Sequence, residues 1–184
     1  MKHIKKTTIA LALSALYSLS AHAAPVQYKI DPEHSIVQFK VPHLDYSYIL
    51  GTFNNLSGQY TYDSETGEIS NVEFTLNTDS LDTYHGERNK HLRGTDFLNT
   101  AAHPQASFKS SAWQDGQLTG KLTLNGQTQT ITVPVNKIGE GDDPWGNYRT
   151  GFETTFNIAL SDYQIPDSYV KQAEIYITGE GIRQ

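Results

Sequence analysis

Cysteine is missing from this sequence of 184 residues. Its absence excludes a disulfide framework, a thiolate zinc site, an iron–sulfur cluster and a thiol nucleophile. Positive charge is also scarce: 14 Lys and Arg stand against 20 Asp and Glu, a formal charge of −6. An acidic balance of that kind disfavours nucleic acid as a partner, because phosphate-tracking surfaces are basic. No Gly-x-Ser-x-Gly nucleophile elbow occurs. Gly139-Glu140-Gly141 shares two glycines with a phosphate loop, but Asp142, Asp143 and Pro144 follow and no helical pattern comes next. Carboxylates there repel phosphate, so the stretch Gly139 to Tyr148 reads as an acidic, glycine-rich surface loop.

Long hydrophobic runs are lacking too. The longest, Ile9 to Leu19, covers eleven residues, which rise about 16 Å as a helix against a hydrocarbon core of about 30 Å. It cannot span. Lys2, Lys5 and Lys6 precede it, and Ala21-His22-Ala23 follows with the small-x-small pattern that signal peptidase accepts. Residues 1–23 therefore read as a signal peptide cut after Ala23, and residues 24–184 as one exported domain with no stable membrane insertion. No Cys follows the cut to take a lipid anchor. The mature chain keeps 11 basic and 20 acidic residues, a net charge of −9. A bacterial-type signal on a cysteine-free chain points to the periplasm.

What the chain does have is aromatic side chains and alternation. Nineteen of its 20 Phe, Tyr and Trp lie beyond position 23. Val26, Tyr28 and Ile30 alternate with polar residues, as do Val37, Phe39 and Val41, then Val72, Phe74 and Leu76. Ile131 to Val135, Phe156 to Leu160 and Ile175 to Ile177 repeat the pattern. Period two marks sheet strands with one apolar and one wet face. Asp115-Gly116 and Asn125-Gly126 are two-residue hairpin signals, and Asp63 to Gly67 suits a longer hairpin loop. The expected fold is all-β: an extended antiparallel eight-stranded lipocalin-like barrel with a short helical segment at one end, since closure hides the edges. Eight strands enclose either a packed core or one small ligand. The wealth of Phe and Tyr leans towards a cavity.

Alternation fails between Leu81 and His103. Tyr84 to Arg93 is charged and precedes Gly94, which predicts a helix, and Thr95 opens a turn that carries Phe97 and Leu98. Leu92, Phe97 and Leu98 are expected to pack over an open end of the sheet. Asp82, Glu87, Arg88, Lys90, His91 and Arg93 concentrate mixed charge there. Such a run is either a solvated helix face or a polar rim, where Arg88, His91 and Arg93 hold an anionic or quinone head group. Histidines 34, 43, 85, 91 and 103 form no His-x-His or His-x-x-x-His pair. His85 and His91 sit about 240° apart on a helix. No metal site or cofactor is expected.

Asp79 to Ser110, DSLDTYHGERNKHLRGTDFLNTAAHPQASFKS, resembles the signature of the YceI-like family of periplasmic polyisoprenoid-binding proteins. The matching positions are Ser80, Asp82, Thr83, Arg88, Asn89, His91 and Leu92, then Asp96, Phe97, Leu98, Pro104, Phe108 and Ser110. Tyr28-Lys29-Ile30-Asp31, His34-Ser35, Gly51-Thr52-Phe53 and Asp142-Asp143-Pro144-Trp145-Gly146 extend the likeness across the mature chain. One departure is Ser161-Asp162-Tyr163-Gln164, where many members carry an Arg and a Gly. The resemblance implies a barrel that holds a long isoprenoid lipid or quinone, without catalysis. Alternation nominates Phe39, Val41, Phe53, Val72, Phe74 and Leu76 for the lining. Phe97, Phe108, Leu122, Phe152 and Phe156 complete the set. Two other readings stand beside the carrier: an exported enzyme using histidine-bound metal, and a stress-related interaction module with a filled barrel. Ligand chain length, head group and oligomeric state are left open.

Overall fold

The alternating segments pair into a single curled antiparallel sheet. A computed structural model describes residues 24–184; the expected signal peptide, residues 1–23, lies outside them. Ten strands form: β1 Val26–His43, β2 Ser47–Phe53, β3 Leu56–Tyr62, β4 Ile69–Asn77, β5 Gln105–Gln114, β6 Gln117–Leu124, β7 Gln127–Pro134, β8 Asn136–Asp142, β9 Tyr148–Ala159 and β10 Gln172–Arg183. Their order across the sheet is β7-β6-β5-β4-β3-β1-β10-β9-β8, with β2 paired to β1 beside this path. The expectation of eight strands is corrected in two places. β8 occupies part of the stretch read as a loop, because Asn136 to Asp142 carries little apolar alternation to announce it. The separate runs at Val26 and Val37 are one long strand, continuous through an irregularity between Asp31 and Ile36. No ladder joins β7 to β8 or β9 among the described residues, so the sheet curls into a half-barrel with a seam along that side.

The turns follow the residues that made them legible. Asp115-Gly116 and Asn125-Gly126 hold φ values of 50° and 77°, and 48° and 73°, as a type I′ hairpin requires at both central positions. Two bulges re-aim the inward-facing side chains. Between β3 and β4, Gln59 pairs with Glu73 but Thr61 with Ser70, and the extra residue on β4 includes Asn71 at φ 50°. The phase of alternation flips there, so Ile69 and Val72 face the same way despite their odd spacing. β5 bulges between Ser110 and Ala112. Ser110 Oγ then accepts the Val72 N–H at 2.9 Å, in place of a ladder carbonyl.

The helical segment closes one end. Helix α1, Gly86–Arg93, starts where His85 Nδ1 accepts the Arg88 N–H and stops at Gly94. Gly94 adopts extended rather than left-handed backbone. Leu92 and Leu98 pack on a buried cluster of Val37, Phe53, Leu56, Leu76, Leu81 and Ala106. Phe97 and Leu98 also meet a second cluster around Ile158, Tyr163, Ile165 and Ala173. The opposite end is aromatic: Tyr28 stacks on Tyr60 at 5.4 Å, and Phe152 meets Tyr60 and Tyr62 edge-on.

Candidate ligand-binding site

Between the filled end and the aromatic end the half-barrel is hollow. The cavity measures about 180 Å³. Its wall is built strand by strand from the inward set. β4 contributes Ile69, Val72 and Phe74, and β5 contributes Phe108. Leu118 and Leu122 of β6 follow, then Ile131 and Val133 of β7 with Val135 just beyond. From the other side come Phe152 and Phe156 of β9, Ile177 of β10, Ile30 of β1, and Leu56 and Tyr60 of β3. Gly120 lies between Leu118 and Leu122 on the inward face of β6. A Cβ there would stand 2.4 Å from the Phe108 ring, so the missing side chain is what lets that ring lie flat across the wall.

Polar groups along this wall are almost all engaged. Tyr60 Oη bonds to the buried Thr150, and burial pushes its hydroxyl pKa well above the ordinary range. Ser35 Oγ accepts the Glu180 N–H at 3.2 Å. Glu153 accepts from Tyr176 Oη at 2.9 Å, and Glu180 from Arg149 Nη1 at 2.9 Å. Among the described residues, no Lys, Arg or His stands in the wall. The chamber can dissolve apolar material. Its two carboxylates are held by partners.

Of the eleven residues nominated for the lining, six stand in this wall: Val72, Phe74, Phe108, Leu122, Phe152 and Phe156. The other five point inward but belong to the filled end. Phe39 packs on Phe53 at 5.8 Å and covers Gly51. Phe53 and Leu76 are buried in the cluster beneath α1, Val41 joins the cluster around Tyr163, and Phe97 meets the His91 ring at 4.8 Å. Period two assigns a face but not a depth along the barrel. Sequence reasoning missed Ile69 because of the Asn71 bulge, although Ile131, Val133 and Ile177 were visible in the same alternation.

The nominated polar rim lies apart from the cavity. Arg88 spends its guanidinium on Thr83, with Nε donating to Oγ1 at 2.8 Å and Nη2 to the carbonyl at 2.6 Å. Arg93 Nη2 donates to the Leu81 carbonyl. Asn89 Oδ1 receives the Thr83 N–H and hydroxyl, while its amide donates to Asp82 at 2.8 Å. That bond, with the Tyr84 N–H, holds the Asp82 carboxyl below the usual range. The charged signature is a knot that pins the Leu81–Tyr84 turn to α1. None of Arg88, His91 or Arg93 reaches the cavity wall.

A second polar cluster lies at the irregularity in β1. Oxygen or nitrogen atoms of Asp31, His34 and Glu180 lie within 4.8 Å of one another. Arg149 already stands among them, with Nη1 at 2.6 Å from Asp31 and 2.9 Å from Glu180, and Nε at 2.6 Å from Asp143. Burial alone raises the Asp31 carboxyl, but bonds from Arg149, His34 and the Glu33 N–H outweigh it and hold it at about 2. A metal ion here would have to displace the guanidinium.

A family model for the YceI-like domain matches residues 28–180. The chain belongs to the YceI-like family. Members with similar sequences include a UPF0312 protein of Pseudomonas aeruginosa, 42% identical over 98% of this chain and 100% of its own length. Protein YceI of Escherichia coli O157:H7 is also 42% identical, over the same shares. Among solved structures, BcnA of Burkholderia cenocepacia superposes with a TM-score of 0.71 at 23% identity, covering 82% of this chain and 98% of that one. A polyisoprenoid binding domain from Saccharophagus degradans gives 0.65 at 14% identity, over 86% and 99%. At these identities the structural likeness establishes the half-barrel fold.

Proposed function

We propose that this YceI-like chain is a periplasmic carrier, exported by residues 1–23, that shields an isoprenoid chain in its cavity and catalyses no reaction. The observation that carries the reading is the apolar chamber itself. Each CH₂ taken out of water gains roughly 0.8 kcal/mol, so a wall of Val, Leu, Ile and Phe holds a prenyl chain without patterned polar contacts. The polyisoprenoid binding domain of the same fold supports the choice of lipid. At about 180 Å³ the chamber resembles in size the engineered cavity of about 150 Å³ that admits benzene. It encloses a short piece of a prenyl chain. A longer chain needs the seam between β7 and β9 to part, and that seam holds no ladder hydrogen bonds among the described residues.

Val72→Trp tests the reading. If the chamber serves a ligand, the indole occupies space that the ligand vacates. Delipidated protein then keeps its denaturant midpoint, while lipid recovered from the variant falls sharply against wild type. If the barrel is instead a finished core, overpacking costs about 1–3 kcal/mol, and the delipidated variant is plainly destabilised. That result overturns the carrier reading.

A further inference from the structure

We propose that the tip of the β1–β2 hairpin is a foot that docks on a lipid bilayer, seated peripherally and reversibly among the head groups. It lies on the outside of the sheet, so it stands apart from the carrier reading. β1 pairs with β10 only as far as Lys40–Glu174, but with β2 through Val41–Ile49, Pro42–Tyr48 and His43–Ser47. These last rungs are two-stranded, and the hairpin projects past β10. Of the eight large apolar side chains exposed among the described residues, Leu44, Tyr46, Tyr48 and Leu50 lie on this projection. Tyr84 adds a fifth, two residues past the antiparallel Thr52–Asp82 bridge and on the side of Leu50.

The backbone sets these side chains apart from scattered surface residues. The turn holds Leu44 and Asp45 at φ 50° and 59°, where two other hairpins of this chain place Asp-Gly and Asn-Gly. Tyr84 stands at φ 62°. A bulky residue in left-handed backbone is an outlier, and such strain gathers at sites of function. Packing does not explain it, because Leu44 is 60% exposed and Tyr46 87%.

Shape and charge decide the partner. Tyr pairs an apolar ring with a polar tip, the character suited to the boundary between hydrocarbon and water. From Val41 to Phe53 the only formal charge is Asp45, in a mature chain of net charge −9. The Lys40 ammonium stands at the base of the projection, 4.6 Å from the Tyr48 ring centre. A stable protein interface takes about 20–30 residues from each side, far more than residues 41–50 present. A bilayer needs no matching groove, only apolar side chains that reach out from the surface.

Co-flotation of delipidated protein with phosphatidylcholine vesicles tests the foot. Wild type should float, with little loss in high salt, because only charge interactions are screened. Phosphatidylglycerol vesicles should bind the acidic chain no better. Leu44→Gly with Tyr46→Ser should lower the partition coefficient about ten-fold or more. Leu44→Gly alone should weaken binding while its unfolding midpoint equals or exceeds wild type, since glycine relieves the turn. Trp145→Ser removes an exposed aromatic from the β8–β9 turn, beside the opposite end of β1, and should leave flotation unchanged. Wild type that does not float overturns the proposal, as does flotation that survives the double substitution or that salt abolishes. Light scattering that shows a dimer which the double substitution splits, without vesicle binding, assigns the hairpin to a second copy and overturns it too. Wild type that floats yet yields no lipid from its cavity keeps the foot and removes only the carrier reading.

Discussion

At the scale of residues, the strongest charges in the molecule hold the structure together. The Arg149 side chain is 17% exposed and bonds Asp31, Asp143 and Glu180 at once, which ties β1 and β10 to the turn between β8 and β9. A carboxyl whose pKa is depressed on folding stabilises above its unfolded value of about 3.9. It stops doing so as pH falls through its folded value, about 2 for Asp31. Arg149→Met should therefore lower the urea midpoint at pH 7, and its deficit against wild type should narrow between pH 4 and about 2. A deficit that stays constant with pH would show that lost packing, rather than charge, is responsible. The same geometry bears on metal. Because the guanidinium stands among Asp31, His34 and Glu180, EDTA should leave the thermal midpoint unchanged. A drop of several degrees that zinc restores would instead favour the metal-enzyme reading.

At the scale of elements, β6 gives the sharpest test of how the chamber wall is assembled. Gly120→Ala puts a methyl 2.4 Å from the Phe108 ring and 2.5 Å from the Lys109 carbonyl. The backbone cannot easily give way, so the cost should be about 1–3 kcal/mol by denaturant unfolding. A change under about 0.5 kcal/mol, typical of a neutral surface site, would mean that the wall yields where close packing forbids it. Strand identity was widely legible: the period-two runs, the Asp-Gly and Asn-Gly hairpins and the helix before Gly94 all lie where the residues put them. Bulges were not. Asn71 and Ser110 carry no pattern that announces a phase flip, and Ile69 was lost to the candidate wall as a result. β8 was hidden by its own glycines and charges. The place of the rim was not legible, because Arg88 and Arg93 look alike in sequence whether they face a ligand or bond to a neighbouring carbonyl.

At the scale of the whole molecule, the half-barrel is packed beneath α1, aromatic at the far end and hollow between. Sequence alternation could say which residues face inward, but not that Phe39, Phe53 and Leu76 would fill one end while Phe74, Phe108 and Phe156 surround space. That division depends on where Leu92, Phe97 and Leu98 plug the barrel, a long-range consequence of packing. In the carrier reading the space is functional and the plug structural. Native mass spectrometry of protein purified from the periplasm without detergent tests this most directly. The expected species is a chain of residues 24–184 beginning at Ala24, carrying an organic adduct that solvent extraction removes and that fragments as an isoprenoid. A bare chain, or one carrying only a metal ion, would contradict it.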